Sequence, residues 1–575
     1  MSENEHQPEV QQHEHSHKIP PLGLVALLIF LLLCGYGYLA SQGVPQDWTR
    51  QAIEADAHDQ DAVKDDHDGH EQTESVADDH EEVKHHPPYF MVAPFALLLL
   101  SIAILPLIPA TAHWWESNLH RFYVAAGLGL ITLLYYGFLS NFTLAGHWPA
   151  HYEVEAGASA LDKIAVIFMN AIVADFIPFI ILLFSLFTIT GGIRIAGNLL
   201  ATPFVNSVIL FIGAILASFI GTTGAAMLLI RLLLETNQER KYKVHTVIFF
   251  IFCVCNCGGC LTPLGDPPLF LGYLKGVDFF WTFNLWVEWA FVNCILIGFY
   301  FLWDTIWYYP RESKADKELD VKNKTTLKIS GLGLSLPLLL GVVASVAFLS
   351  PGKPVPIVGQ MLFPENGGCP WFFLREAVQL GLCCISLAFG SRAIRKSNAF
   401  SFAAITEVAA LFFGIFICMQ APLQILNYEG KNVVEVAKEN TGAEEPMLFF
   451  WSTGSLSSVL DNAPTYVVFF ETGKSLSPNS VEDFEKPEFA KYQKLHEEGK
   501  MVPVGKGFIE FHLLAAISLG AVFMGAMTYI GNGPNFMVKA IAEESGVKMP
   551  SFFGYMVYSC FILLPILILM TMLFL

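Results

Sequence analysis

Long runs without a charged residue constrain this chain more than any other feature. Residues 21–40 carry none, and at about 1.5 Å rise per residue such a run matches the thickness of a bilayer core. Similar runs cover 92–110, 124–139, 177–193, 205–230, 247–264, 290–303, 329–349, 377–390, 408–426, 513–530 and 552–575, about twelve or thirteen units in all. Only 15% of the 575 residues are charged, against about 25% in a soluble domain, and the deficit lies in these runs. Backbone inside lipid must satisfy its own hydrogen bonds, so the runs read as helices. The expected fold is an all-α polytopic membrane protein with about 11 core transmembrane units behind an N-terminal anchor.

The remaining charge is unevenly spread. Residues 42–86 hold 14 Asp and Glu against Arg50, Lys64 and Lys84, a net −11 out of the chain's −19. Basic residues gather instead at Arg194, at Arg240, Lys241 and Lys243, between Arg311 and Lys328, and at Arg392, Arg395 and Lys396. Positive loops stay inside, so the acidic segment is expected outside an inner membrane and the basic loops in the cytoplasm. The 21–41 segment reads as an uncleaved anchor, because its flank is acidic and its apolar run exceeds the 7–15 residues of a signal peptide. The organisation that follows is a polar tail 1–20, the anchor 21–41, an acidic linker 42–88, a first transport unit 89–310, a cytoplasmic linker 311–328 and a second unit 329–575 with a polar insertion at 476–506. Ten histidines (His6, His13, His15, His17, His58, His67, His70, His80, His85 and His86) precede residue 87. They read as part of a solvated linker, with proton buffering or weak Zn²⁺ binding as the alternative. No basic surface points to nucleic acid.

Three landmarks occur twice, in the same order. Phe184 to Gly192 pairs with Phe413 to Ala421, Ser218 to Ala225 with Ser458 to Thr465, and Thr262 to Pro268 with Thr528 to Asn535, at offsets of 229, 240 and 266. The offsets grow because the second copy carries the polar insertion. Two of the landmarks contain helix breakers. Gly265-Asp266-Pro267-Pro268 removes two donors and clashes with a preceding turn, and Asp461-Asn462-Ala463-Pro464 restarts a helix behind a capping side chain. Interrupted helices survive in lipid only around a polar cavity. The charge pattern runs the two copies in opposite directions, so two inverted-topology repeats with broken helices and re-entrant hairpins are expected.

The run Asn256-Cys257-Gly258-Gly259-Cys260-Leu261-Thr262-Pro263-Leu264-Gly265-Asp266-Pro267-Pro268 resembles a signature of the ion-transporter superfamily, and Ser457-Ser458-Val459-Leu460-Asp461-Asn462-Ala463-Pro464-Thr465 resembles its second element. That superfamily includes arsenite permeases, citrate transporters and NhaD-type sodium/proton antiporters, and the continuation through Leu269 to Gly272 is most similar to the citrate-transport and sodium:proton-antiporter branch. The resemblance covers roughly 90–575 and implies a homodimer. This chain departs from some relatives in carrying Gly221-Thr222-Thr223 where they have a second Asp-Asn, and Asn532 opposite Asp266.

An ionised residue at membrane depth costs about 2.5–3.5 kcal/mol and invites a functional reading. Asp461, Asn462 and Thr465 form one candidate sodium site; Asp266, Asn256, Thr262 and the Gly265 carbonyl form another, since hard cations prefer oxygen ligands. Thr222, Thr223, Asn532 and Asn535 are added as neutral ligands. Each acid has a plainer reading as a half-helix cap, and Asn532 and Asn535 as turn stabilisers. Asp461 and Asp266 are the first candidates to carry a proton; Asp175 and Glu407 are further ones unless they merely sit at helix ends. Arg231 is the basic candidate deep in the first unit, or else neutralises Glu235 one turn on. Cys255, Cys257 and Cys260 read as small packing residues rather than a thiol metal site. Acids outnumber bases at the breaks, so the expected function is exchange of Na⁺ for H⁺ with no resident cofactor, and coupled uptake of a di- or tricarboxylate is the alternative. The partners expected are the bilayer and small inorganic cations. A metal sensor leaves the paired breaks unexplained, and no nucleophile–base pair or phosphate loop points to an enzyme.

Overall fold

The computed structural model describes residues 22–65, 86–106, 108–442, 444–478, 480, 482–486, 489–505 and 507–575. The early histidines other than His58 and His86, and the 1–20 tail, lie outside these residues, as does the His58 side chain. The described chain is helical almost throughout, and its three strand pairs are short antiparallel ladders.

Six helices are long and apolar enough to cross a membrane: Leu22–Ser41, Asn118–Phe138, Ala160–Thr190, Pro203–Ile220, Trp281–Arg311 and Phe552–Phe574. Two further candidates are bent pairs, Tyr89–Ile104 with Pro109–Trp115 at 103° and Ala403–Cys418 with Gln420–Thr441 at 43°. Among the described residues six to eight spans are thus long enough, fewer than the roughly twelve units expected. Val244–Cys260, Leu332–Phe348 and Phe511–Met527 are apolar as well but shorter than these spans, the first and last of them because they run into breaks. The expected linker 42–88 also differs, because it begins with a helix, Val44–Asp65. Thr49 there is buried and accepts the Phe372 N–H at 3.0 Å, while Trp48 packs edge-on to Trp148.

Eight helices carry the breaks. In the first half they are α1 (Pro203–Ile220), α2 (Thr222–Thr236), α3 (Val244–Cys253) and α4 (Pro267–Leu274). In the second they are α5 (Glu445–Ser457), α6 (Asn462–Ser475), α7 (Phe511–Met524) and α8 (Gly533–Glu544). α3 is buried from His245 to Cys253, and α7 is buried from Leu513 to Met524. A helix apolar all round belongs inside, so these two form the centre. The Leu22–Ser41 helix buries only Ile29 and presents most of its leucines outward, as a lipid-facing helix does.

The basic segments meet at one end. Arg194–Ala196 pairs antiparallel with Lys328–Ser330. Arg240 donates to Asp304 Oδ2 at 2.8 Å and lies 3.4 Å from Glu312, whose carboxylate also accepts the Lys241 and Tyr242 N–H groups. Charge-assisted bonds of this kind bind the loops after α2 to the connector between the halves.

The breaks have matching internal bonds. Thr262 Oγ1 donates to the Ser218 carbonyl, and Thr528 Oγ1 donates to the Ser458 carbonyl at 2.5 Å. Two residues on, the Leu264 N–H returns to Thr262 Oγ1 at 3.1 Å and the Ile530 N–H to Thr528 Oγ1 at 3.3 Å. A Cβ on Gly265 would strike the Gly259 carbonyl, and one on Gly531 the Gly525 carbonyl. Glycine is required there by close backbone approach.

Candidate functional site

Four half-helices start at one place. Asp266 precedes α4 with φ −141° and ψ 144°, and Asn532 precedes α8 with φ −152° and ψ 139°. Thr222 opens α2 after Gly221, whose φ of 81° turns the chain, and Asn462 opens α6 after its cap Asp461. The Thr222 N–H donates to the Gly265 carbonyl at 2.8 Å, so one break satisfies another.

Asp266 joins all four. Its Oδ1 accepts from Thr222 Oγ1 at 2.9 Å and from Asn532 Nδ2 at 3.1 Å; its Oδ2 accepts from Asn462 Nδ2 at 2.6 Å. Asp266 and Asn462 are each 1% exposed. The network continues outward: Asn532 Nδ2 also faces Asn256 Oδ1 at 3.2 Å, Asn256 Nδ2 donates to Asn535 Oδ1 at 2.8 Å, and Asn535 Nδ2 reaches the Gly525 and Thr528 carbonyls. Helix starts carry partial positive charge, which favours a carboxylate at this convergence.

Asp461 is half-buried, and its Oδ1 accepts the Ala463 N–H at 3.0 Å as the cap of α6. It immediately precedes Asn462, whose Nδ2 donates to Asp266 Oδ2, so the two acids adjoin one network. Among the described residues neither acid has a Lys, Arg or His partner. Asp304, Glu376 and Glu471 differ in this, facing Arg240, Arg375 and Lys275.

Of the residues singled out in the sequence, Asp266, Asn462, Thr222, Asn532, Asn256 and Asn535 come together. Thr262 instead ties its break to α1, and Thr465 Oγ1 donates to the Asp461 carbonyl at 3.0 Å. Thr223 follows Thr222 on α2, half-buried. Asp175 and Glu407 stand elsewhere. Asp175 lies within the continuous Ala160–Thr190 span rather than at its end, 3.7 Å from Lys275 Nζ, and Glu407 lies 2.9 Å from Arg121. Glu235 turns to Arg194 at 4.0 Å rather than to Arg231. Arg231 is not the only basic residue deep in the first half, since Lys163 and Arg240 are buried there too. The three cysteines are buried, and no group of three or more metal-ligating side chains forms among the described residues.

Sequence reasoning missed Lys275 and Glu471. A signal existed, because each follows its break residue, Asp266 or Asn462, by the same nine positions. Beside α2 there is also a cavity of about 240 Å³ lined by Arg194, Arg231, Glu235, Lys243, Asn398 and Ser545, among others.

Compared with known proteins, residues 84–575 match the profile of a family described as "Putative citrate transport". No curated protein matches the chain.

Proposed function

The chain belongs to the family described as "Putative citrate transport", and from that premise we propose that it is a secondary transporter exchanging Na⁺ for H⁺ at Asp266 and Asp461. The observation that carries this reading is that Asp266 and Asp461, joined through Asn462, have no Lys, Arg or His partner among the described residues. Burying charge is costly unless it is paired. Helix starts and amide donors offset part of the charge at Asp266, which leaves the pair in want of one mobile cation. H⁺ and Na⁺ can each fill that role, and competition between them is the smallest mechanism that exchanges one for the other.

In this reading the two halves are inverted repeats, with α1–α4 matched by α5–α8. The recurrence of the landmarks in the same order and the paired Thr262 and Thr528 bonds support that relation. Repeat-related breaks meeting near mid-bilayer are a recurrent transporter design. The clustered basic loops support a cytoplasmic face at that end, and hence an inner-membrane protein with the acidic 42–88 segment outside. A homodimer is the proposed assembly.

One observation favours a second reading, coupled uptake of a di- or tricarboxylate. The cavity beside α2 holds Arg194, Arg231 and Lys243 against Glu235, a net positive mouth suited to an anion. Purified protein in liposomes separates the two. Exchange predicts that Na⁺ collapses an imposed proton gradient, and that Asp461→Asn and Asp266→Asn each abolish the effect. Accumulation of citrate or succinate, with no proton movement driven by Na⁺ alone, replaces exchange by the second reading.

A further inference from the structure

The Asp266 site has two flanks, and they are in opposite conditions. On the first, α4 packs on α6. Nine residues separate Asp266 from Lys275 and nine separate Asn462 from Glu471, about 13 Å along each helix. The two helices bring these side chains together: Lys275 Nζ lies 3.5 Å from Glu471 Oε1 and 3.7 Å from Asp175 Oδ2. Gly276 follows at φ 107°, and a Cβ there would meet the Gly505 backbone at 2.5 Å. Gly505, which follows the Met501–Val504 strand of the hairpin with Gly507–Glu510, therefore sits directly over the end of α4.

On the second flank α8 packs on α2. Arg231 lies nine residues beyond Thr222, again about 13 Å along the helix. The offset of 240 that relates Thr222 to Asn462 also relates Arg231 to Glu471. Glu471 is locked in an ion cluster, whereas Arg231 lines the 240 Å³ cavity, which also includes Ser545 just past α8. Equivalent positions thus stand in an ion cluster on one flank and on a cavity on the other.

We propose that Asp175, Lys275 and Glu471 form a gate that seals the Asp266 site on the hairpin side while the Arg231 side stands open. The proposal rests on the transport reading but not on which solute moves. The cluster suits a gate because its three members come from three separate elements, the Ala160–Thr190 span, the end of α4 and the second half of α6. Parting any one of them opens the seal. Lys275 remains 22% exposed, so water can replace its partners as they separate. A site closed on one side and open on the other admits solute from one side at a time, which exchange requires.

Hydrogen–deuterium exchange on the full chain in nanodiscs tests this without a transport assay. Lys275→Met removes the ammonium that holds the two carboxylates. A gate predicts reciprocal change: faster exchange in α4 and α6, with slower exchange at the ends of α2 and α8 as the opposite mouth closes. Faster exchange in α4 and α6 alone, or on both flanks, marks a merely structural ion cluster and overturns the proposal, as does no change. If Lys275→Met does not fold, the near-isosteric Glu471→Gln is read in the same way. A wild-type protein that moves carboxylate rather than Na⁺ refutes the exchange reading and leaves this result standing.

Discussion

Asp266 and Asp461 differ in how they are held. Asp266 takes three side-chain donors and bridges both halves of the chain, whereas Asp461 takes one backbone donor from its own helix. Asp266 is therefore the structural centre of the network. A hydrogen bond to a charged group contributes about 1.5–3 kcal/mol. Asn462→Ala and Asn532→Ala are expected to lower thermal stability by about that amount, read as a fall in Tm in detergent. Asp461→Ala is expected to lose only a helix cap, about 1 kcal/mol, while abolishing exchange. An unchanged Tm in Asn532→Ala contradicts the bridging role. At this scale the sequence was informative where a residue has one use in lipid: Asp266 beside two prolines has few roles. It left Thr262 and Thr465 undetermined, because a hydroxyl at a break can ligate or tie off backbone; in the fold both donate to backbone carbonyls. Lys275 and Glu471 were passed over because each sits at the edge of a polar stretch, where a charge looks solvated.

Among the elements, the breaks do the positioning. Gly221 holds φ 81° between α1 and α2, where an L side chain costs about 1–2 kcal/mol. Gly221→Ala is expected to destabilise by that amount and to displace Thr222 from Asp266, lowering exchange more than stability; equal activity at wild-type rate contradicts it. The start of α5 makes a separate prediction. Burial raises Glu445, but its bonds to Lys438 and Lys491 outweigh burial and hold the carboxyl below its ordinary 4.5. A depressed folded-state value contributes stability above the unfolded value and loses it as pH falls through the folded one. Tm is therefore expected to drop below about pH 4.5, with a shallower drop in Glu445→Gln, which a pH series of melts measures. The break positions were legible as Gly, Pro and Asx punctuation. Helix lengths were not, because hydropathy is alike in a half-helix that stops at a break and in one that crosses.

For the whole molecule, the apolar cluster runs without interruption from Ile29 through both halves to Met570. The anchor helix joins it at the edge, where Tyr36 donates to the Phe372 carbonyl at 2.9 Å. Deleting residues 1–86 is expected to lower Tm through loss of that docking while leaving the exchange rate intact, since no anchor residue reaches the Asp266 network. Loss of exchange with normal membrane insertion contradicts this. The most direct test of the central claim is calorimetry of Na⁺ binding to purified protein in buffers of different ionisation enthalpy, which counts the protons released. The account predicts saturable Na⁺ binding that releases protons into the buffer, abolished in Asp266→Asn and in Asp461→Asn. Saturable Na⁺ binding with no proton released, or with full release retained in both variants, would contradict it.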